Sequence, residues 1–454
     1  MSKMQLEYWP VERLRPCANP LRRNDACVDR MAQAITAFGF RVPILALADG
    51  EILDGHLRLK AALKLGMAEV PVLPAEGMTP QEVRAFRLLV NRSATWAPWD
   101  ADALSVELAA LSGGELDLAL TGFDSREIDS FLRAATAVDE ADADDAPAAP
   151  EHPVSRPGDC WLLGGHRLLC ADAVEPMSYA RLMGGAHAAM VWTDPPYNVA
   201  YEGKAGSIKN DAMPEDVFAA FLRRAFTAMA AALRPGGAAY VAHADAGSSG
   251  LAFRQAFAAA GFKLASCLIW RKNAATLTRS DYHWQHEPIL YGWLRGGAHA
   301  WHGDRRQTTV VDAFPTALRV ADVEGLPCWQ VMDGERIWRV YGADVRVEEL
   351  AGSVFCEPKP RASDLHPTMK PVALIARMLE HNSVRGEPVL DPFAGSGSTL
   401  MACEVTGRAA RCLELDPRFV DVIVRRWQDA TGGTALLDEG ALPFEQVAAE
   451  REAA

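Results

Sequence analysis

The chain is predicted to fold as α/β: a doubly wound, mostly parallel sheet, with a smaller α+β domain at the N-terminus. Three observations predict this. Strand-like apolar runs alternate with helix-period segments from residue 188 to 430, the pattern of a parallel sheet covered on both faces. An acidic Ala/Pro-rich stretch without periodicity divides the chain near residue 140. A length of 454 residues is more than one hydrophobic core ordinarily holds.

The N-terminal elements follow in order. Residues 26–38 read as a helix, 42–47 as a strand, Asp49-Gly50 as a turn and Ile52-Leu53 as a second strand. A Gly55 turn opens a helix ending at Gly66, and 70–73 form a third strand. Thr79-Pro80 is a helix start, with Thr as cap and Pro at the first position. Helices are expected at 100–112 and 125–136.

Residues 139–151 contain Asp139, Glu140, Asp142, Asp144, Asp145 and Glu151 and no Lys or Arg, so six of the net −13 charges lie there. This composition reads as a flexible, extended linker over 137–157, between an N-terminal domain at 1–136 and a large domain at 158–434. In the large domain, strands are expected at 188–192, 238–242, 264–270, 388–390 and 409–413. Helices are expected at 218–233, stopped by Pro235-Gly236-Gly237, and at 249–260, 371–383, 397–406 and 417–430. Residues 435–454 read as a tail.

Apolar residues make up 49% and charged residues 23%, which excludes a disordered or collagen-like chain. No apolar stretch reaches membrane-spanning length, and no secretory signal is read at Met1–Pro10, so the expected compartment is the cytoplasm, with no membrane partner. The nine cysteines include no Cys-x-x-Cys pair, which disfavours structural zinc and a disulfide framework; no metal site is expected. The acidic net charge does not exclude a nucleic-acid partner, because a local basic face is what binds a polyanion.

Three segments carry chemistry. Thr193-Asp194-Pro195-Pro196-Tyr197-Asn198 follows a buried-looking strand. Asp194 and the Pro195 carbonyl can accept from an exocyclic amino group, the two prolines stiffen the turn, and Tyr197 can stack on a planar ring. A Pro-Pro turn with an Asp cap and a core Tyr is the bland alternative. Leu390-Asp391-Pro392-Phe393-Ala394-Gly395-Ser396-Gly397-Ser398-Thr399 is strand, glycine turn and helix. It suits a close backbone approach to a ligand. It is not a P-loop, lacking the Lys-Ser/Thr pair, nor a dinucleotide fingerprint. The strand at 409–413 ends in Glu414-Leu415-Asp416, with Glu414 suited to ribose hydroxyls and Asp416 to capping the next helix.

Asp-Pro-Pro-Tyr at 194–197 followed by Phe-x-Gly-x-Gly at 393–397 resembles the β class of amino-group DNA methyltransferases that use S-adenosylmethionine. His366-Pro367-Thr368-Met369-Lys370-Pro371 and Leu168 to Ala173 resemble further elements of that class, and the segments at 280–288 and 301–309 resemble segments of its phage-type members. The resemblance implies a circularly permuted methyltransferase fold and a flipped target base in double-stranded DNA. It implies catalysis by Asp194, Pro195, Pro196 and Tyr197. It implies a cofactor site of Asp172, Thr368, Lys370, Asp391, Phe393, Gly395, Gly397 and Glu414. Asp before Pro-Pro-Tyr favours N6 of adenine; N4 of cytosine is the alternative. Residues 271–353 are expected to hold a target-recognition insertion, with a small β unit at 310–353. Arg271, Lys272, Arg279, Arg305 and Arg306 are the candidate DNA contacts. A decorative surface hairpin fits 310–353 equally well. Dimerisation is common in the class. No nuclease motif accompanies the site, which suits an orphan or phage-borne enzyme, and a restriction-modification partner is not readable.

Val42 to Val72, with Asp54-Gly55-His56-Leu57-Arg58 at its centre, resembles the ParB/sulfiredoxin-like domain. The resemblance makes Gly55, His56 and Arg58 the candidates for a phosphate-bearing ligand, either DNA or a nucleotide. A packing or adaptor module is the alternative. A second class of function also stands: a ParB-like DNA-binding regulator with a degenerate methylase part.

Overall fold

The computed structural model describes the chain except residues 1–4, 18–23, 94–95, 98, 113, 115–116, 135–142, 200–201, 204–205, 208, 246, 277–280, 282, 304–306, 308, 313–316, 324–325, 334–335, 342–368 and 453–454. It divides into two compact units, Met1–Ala135 and Thr136–Ala454.

In the first unit, β1 (Glu7–Pro10), β2 (Ile44–Leu47), β3 (Ile52–Asp54) and β4 (Glu69–Ala75) form a sheet in the order β1-β4-β2-β3. Helices α1 (Val28–Phe38) and α2 (His56–Lys64) accompany it, with a core of Trp9, Ile44, Ile52, Leu59, Val70 and Val72. Helix α3 (Pro80–Ser93) begins with a capping box: the Thr79 N–H donates to Glu82 Oε2 at 2.7 Å, and Thr79 Oγ1 accepts from the Glu82 N–H at 3.3 Å. Helices α4 (Ala101–Ser112) and α5 (Ser125–Ala134) meet through Leu108, Ile128 and Leu132.

The second unit is one large mixed sheet with helices on both faces. Its strands are β5 (Cys160–Leu163), β6 (His166–Cys170), β7 (Ala188–Thr193), β10 (Leu233–Ala242), β11 (Phe262–Thr276), β12 (Trp284–Leu294), β13 (Val310–Asp312), β17 (Pro388–Asp391), β18 (Ala409–Glu414), β19 (Leu436–Leu437) and β20 (Leu442–Pro443). Two short strands, β8 (Glu202–Gly203) and β9 (Gly206–Ser207), pair with each other, and β14 (Ala317–Val323), β15 (Leu326–Asp333) and β16 (Arg336–Tyr341) form a separate antiparallel sheet. The order is β13-β11-β12-β10-β7-β17-β18-β6-β5-β19-β20. The five strands from β10 to β6 run parallel, while the pairings β10–β12, β11–β12 and β5–β6 are antiparallel.

Strand alternation divides the core. Met190 and Trp192 of β7 join the layer under α9 (Val372–Asn382), α10 (Ser398–Thr406) and α11 (Pro417–Thr431). Ala188 and Val191 join the opposite layer under α6 (Pro176–Met183), α7 (Glu215–Ala231) and α8 (Ser249–Ala259). From β17 the chain winds through α10 to β18 on one side; from β7 it winds through α7 to β10 on the other. The β7–β17 boundary is therefore a topological switch point, where open α/β sheets bind ligands.

Four expectations need correction. Strand β12, assigned to the 271–353 insertion, is integral to the core sheet, since Ala238 to Ala242 pair with Trp293 to Ile289. Pro235-Gly236-Gly237 does not stop α7, which ends at Ala231; it lies inside β10 at a register shift. A Cβ on Gly236 would fall 2.2 Å from the Ala298 carbonyl oxygen, so only glycine fits that bulge. The 435–454 tail is folded: β19 pairs with β5, and α12 (Phe444–Glu452) buries Phe444 against Trp161 at 5.1 Å. Finally, 143–157 is not a free tether. Ala143 is fully buried in the core, and Asp421 accepts the Val154 and Ser155 N–H groups at 2.6 and 2.9 Å. Residues 137–142 lie outside the described residues.

Candidate active site

Asp194 to Tyr197 leave the carboxyl end of β7, beside the end of β17. Tyr197 donates its hydroxyl proton to Asp194 Oδ1 at 2.5 Å, and the Lys370 ammonium pairs with Asp194 Oδ2. Lys370 also reaches Glu287 Oε2 at 3.1 Å, and Glu287 takes a second cation, Lys272. Two partly buried carboxylates thus share Lys370, with Lys272 added at Glu287, which is how charge is accommodated away from bulk water.

Burial works against ionised Glu287, but Lys370 and Lys272 outweigh it and hold it down to about 2. Asp194 is displaced upward, by burial first and by the nearby Glu287 charge, against the downward pull of Lys370. Burial would lower Lys370, but the two carboxylates outweigh it and keep it cationic. The Tyr197 ring lies edge-on to Phe253 at 6.2 Å, with Lys370 5.6 Å from its centroid.

The second loop leaves β17. Asp391 is 2% exposed and accepts from Thr193 Oγ1 at 2.7 Å, Thr399 Oγ1 at 2.5 Å and the Phe393 N–H at 3.1 Å, so it ties the two strand ends together. Burial raises it to about 6, partly offset by these bonds. Gly395 and Gly397 both have positive φ, +55° and +87°. A Cβ on Gly395 would stand in open space, while one on Gly397 would meet Ile423 Cγ1 at 2.9 Å. Glu414, at the end of β18, accepts the Gly395 N–H and the Asp416 N–H, each at 2.8 Å. Burial lifts it to about 7 against those two bonds. Asp172 follows β6, the next strand, and accepts the Val174 N–H at 3.0 Å. Asp416 caps α11 as expected, accepting the Arg418 N–H at 3.1 Å.

The structure thus brings Asp194, Pro195, Pro196, Tyr197 and Lys370 to one strand end, and Asp391, Phe393, Gly395, Gly397, Glu414 and Asp172 to neighbouring ends. Lys370 was assigned to the cofactor, yet its ammonium sits between Asp194 and Glu287. Lys272 was assigned to DNA, yet it pairs with Glu287; Arg271 beside it is exposed. Phe393 packs edge-on against Phe221 at 6.0 Å. Thr368, Arg279, Arg305 and Arg306 lie outside the described residues. Glu287 was missed. Its signal was a lone acid abutting the apolar run Ile289-Leu290.

In the N-terminal unit, both candidate ligand side chains hold the chain itself. His56 Nε2 accepts the Cys17 N–H at 3.2 Å, and burial lowers its pKa, leaving the ring neutral. Arg58 donates to Asp54 Oδ2 at 2.7 Å and to the Pro43 carbonyl at 3.3 Å. Gly55 has φ +108°, the left-handed turn that starts α2.

A glycine loop and an acid–aromatic turn on adjacent parallel strand ends define a doubly wound α/β enzyme with its site at the switch point. Residues 188–425 match the DNA methylase family of N6 and N4 methyltransferases, and residues 102–157 match the ParB-methyltransferase HTH domain, a domain not read from the sequence. The DNA adenine methyltransferase YhdJ of Escherichia coli (strain K12) is 24% identical over 52% of this chain and 75% of its own length. The ParB-like nuclease domain-containing protein YnaK of the same organism is 35% identical over 18% of this chain and 94% of its own length. Among solved structures, the M1.HpyAVI–SAM complex is 16% identical over 57% of this chain and 97% of that one, with a TM-score of 0.37. The chain belongs to the N6/N4 DNA methylase family and carries a ParB-like region with it. It is an S-adenosyl-L-methionine-dependent DNA methyltransferase of the amino-group type.

The residues of the second loop fit that cofactor. The space beside Gly395 would be filled by a Cβ, and Ser398 Oγ at the start of α10 is buried without a partner among the described residues. Glu414 and Asp172 supply acceptors from the two neighbouring strands.

Proposed function

We propose that the chain methylates N6 of adenine in double-stranded DNA, on a base turned out of the duplex. The observation that carries this reading is the cluster at the end of β7, where Asp194 meets Tyr197 and Lys370 beside the glycine loop. Asp194 and the Pro195 carbonyl accept the two N–H bonds of the target amino group. Holding both bonds in that plane leaves the nitrogen lone pair directed out of the ring and more nucleophilic. Tyr197 packs against the base, with its hydroxyl fixing the Asp194 carboxylate. Lys370, held by Glu287, keeps that carboxylate in one orientation.

Glu414 and Asp172 would hold the ribose and adenine of the cofactor, and the 393–398 loop its amino-acid end. When bound, S-adenosyl-L-methionine supplies an electrophilic methyl group. After transfer, the amino nitrogen sheds a proton, and Asp194 is the acceptor we assign. Asp before Pro-Pro-Tyr and the likeness to an adenine methyltransferase support adenine as the base.

The test is labelled S-adenosyl-L-methionine with mixed-sequence DNA, followed by identification of the labelled nucleoside. N6-methyladenine is the expected product. N4-methylcytosine would overturn the choice of base, and cofactor binding without transfer to any DNA would support a regulator with a degenerate methylase part.

A further inference from the structure

Residues 143 and 144 belong to the stretch that composition marks as a free tether, yet they grip two parts of the site. Arg426, on α11, is 2% exposed. It donates from Nε and Nη2 to the Ala143 carbonyl at 3.0 and 2.6 Å, and from Nη1 to the Ser396 carbonyl at 2.8 Å. Ser396 sits between Gly395 and Gly397. A buried guanidinium therefore joins the glycine loop to a backbone carbonyl of the incoming strap. One residue on, Asp144 Oδ1 accepts the Val372 N–H at 2.8 Å. That amide opens α9, two residues after Lys370. The same dipeptide thus holds the loop beside the cofactor space and the turn that presents Lys370 to Asp194.

A buried cation is costly unless its donors are matched. Without the strap, the Nε and Nη2 donors of Arg426 would have to turn toward their remaining neighbours, and Ser396 lies among them. Glu414 on the Gly395 N–H and the Leu413 carbonyl on the Ala394 N–H hold the loop on its strand side, while Arg426 holds it at Ser396, between two left-handed glycines.

We propose that Arg426 and residues 143–144 are positioning residues for the cofactor loop, so that the affinity for S-adenosyl-L-methionine is set in part by the segment preceding the methyltransferase sheet. The proposal rests on the reading of 393–398 as the cofactor loop.

The test uses the full chain, with three readouts: the Kd for S-adenosyl-L-methionine by calorimetry, the KM for DNA, and Tm. Arg426→Lys keeps the charge and loses the fork, and is expected to weaken cofactor binding about tenfold, the loss of one charge-assisted hydrogen bond. The KM for DNA is expected to stay within about twofold. Asp144→Ala is expected to weaken cofactor binding a few-fold, and Asp144→Asn, which keeps an acceptor oxygen for Val372, to restore it. The reference is Glu404→Gln, which loosens the Glu404 bonds to His166 and Trp427 away from the loop and should lower Tm alone.

Cofactor affinity unchanged in Arg426→Lys and Asp144→Ala, with Tm lowered as in the reference, would make the strap merely structural and overturn the proposal. Should Arg426→Lys fail to fold, the Asp144→Ala and Asp144→Asn pair decides the question. A wild-type chain that does not bind S-adenosyl-L-methionine would instead overturn the cofactor reading itself.

Discussion

At the end of β7, Asp194 and Glu287 are matched by two lysines; at the ends of β17 and β18, Asp391 and Glu414 have, among the described residues, hydroxyls and backbone N–H groups within hydrogen-bond reach. Asp391 is buried and the other three carboxylates are partly buried, yet they respond differently. Glu287 is held down to about 2, whereas Asp391 rises to about 6 and Glu414 to about 7. At Glu287 two opposite charges outweigh desolvation, at Asp194 burial and the Glu287 charge win over Lys370, and at Asp391 and Glu414 the dipoles do not offset burial. The difference teaches that two opposite charges hold Glu287 ionised across neutral pH, while Asp391 and Glu414, met by dipoles, are where proton uptake is felt.

The strongest way to break this contrast is to remove its centre. Asp194→Ala should lower methyl transfer by about 10²–10³-fold, the cost of deleting one preorganised polar group. Cofactor affinity, measured by calorimetry, should change little, because Asp194 belongs to the other strand end. Wild-type turnover in this variant would sink the mechanism.

A smaller effect is expected one shell away. Glu287→Gln removes the anion that Lys370 and Lys272 share. The rate should fall about tenfold, in line with the loss of a charged hydrogen-bond partner. Because Glu287 acts on Asp194 through Lys370, through the Tyr197 hydroxyl at 3.5 Å and through its own charge, the loss should appear in kcat rather than in the KM for S-adenosyl-L-methionine. Equal losses in both would show that the two regions are not separate.

The cofactor side should show its own pH dependence. Asp391 and Glu414 titrate higher in the folded chain than their ordinary values of 3.8 and 4.5. Their contribution to stability is therefore fully present below pH about 4 and is lost as pH rises through about 6 and 7. On the proposed reading ribose hydroxyls would donate to the ionised form of Glu414, so cofactor binding runs the other way. It should weaken as pH falls below about 7, approaching tenfold per pH unit. The rise in Tm produced by S-adenosyl-L-methionine should accordingly be larger at pH 8 than at pH 6, and Glu414→Gln should flatten it. A flat dependence in the wild type would place Glu414 away from the ligand.

Much of this was legible before any coordinates. The alternation of strands and helices, the Asp194 turn, the glycine loop and the Asp416 cap all arise from local patterns, which short stretches of sequence carry. What was not legible depends on long-range register. Lys272 and Glu287 meet because β11 and β12 pair antiparallel, with Arg271 opposite His286. Strands β19 and β20 are two residues each, too short to show a period. The strap at Ala143 acts through a backbone carbonyl, which no side chain advertises, and its acidic composition pointed to solvent.

The last prediction compares two glycines within one loop, and it is the smallest in activity. Gly397 has φ +87°, and a Cβ there would press on Ile423 Cγ1 at 2.9 Å and Cγ2 at 3.0 Å. Ile423 is 1% exposed in the core of α11 and has no room to retreat. Gly397→Ala should therefore destabilise the fold by about 1–3 kcal/mol through overpacking and left-handed strain. Gly395 has φ +55° and, among the described residues, nothing within 4 Å of its Cβ position. Gly395→Ala carries only the left-handed cost, about 1 kcal/mol. Its added methyl projects into the space assigned to the cofactor, so affinity for S-adenosyl-L-methionine should fall severalfold while Tm moves less than in Gly397→Ala. Calorimetry and thermal melts on the two variants separate packing from binding within three residues. If Gly395→Ala left cofactor affinity unchanged, the open space beside it would not be the cofactor's.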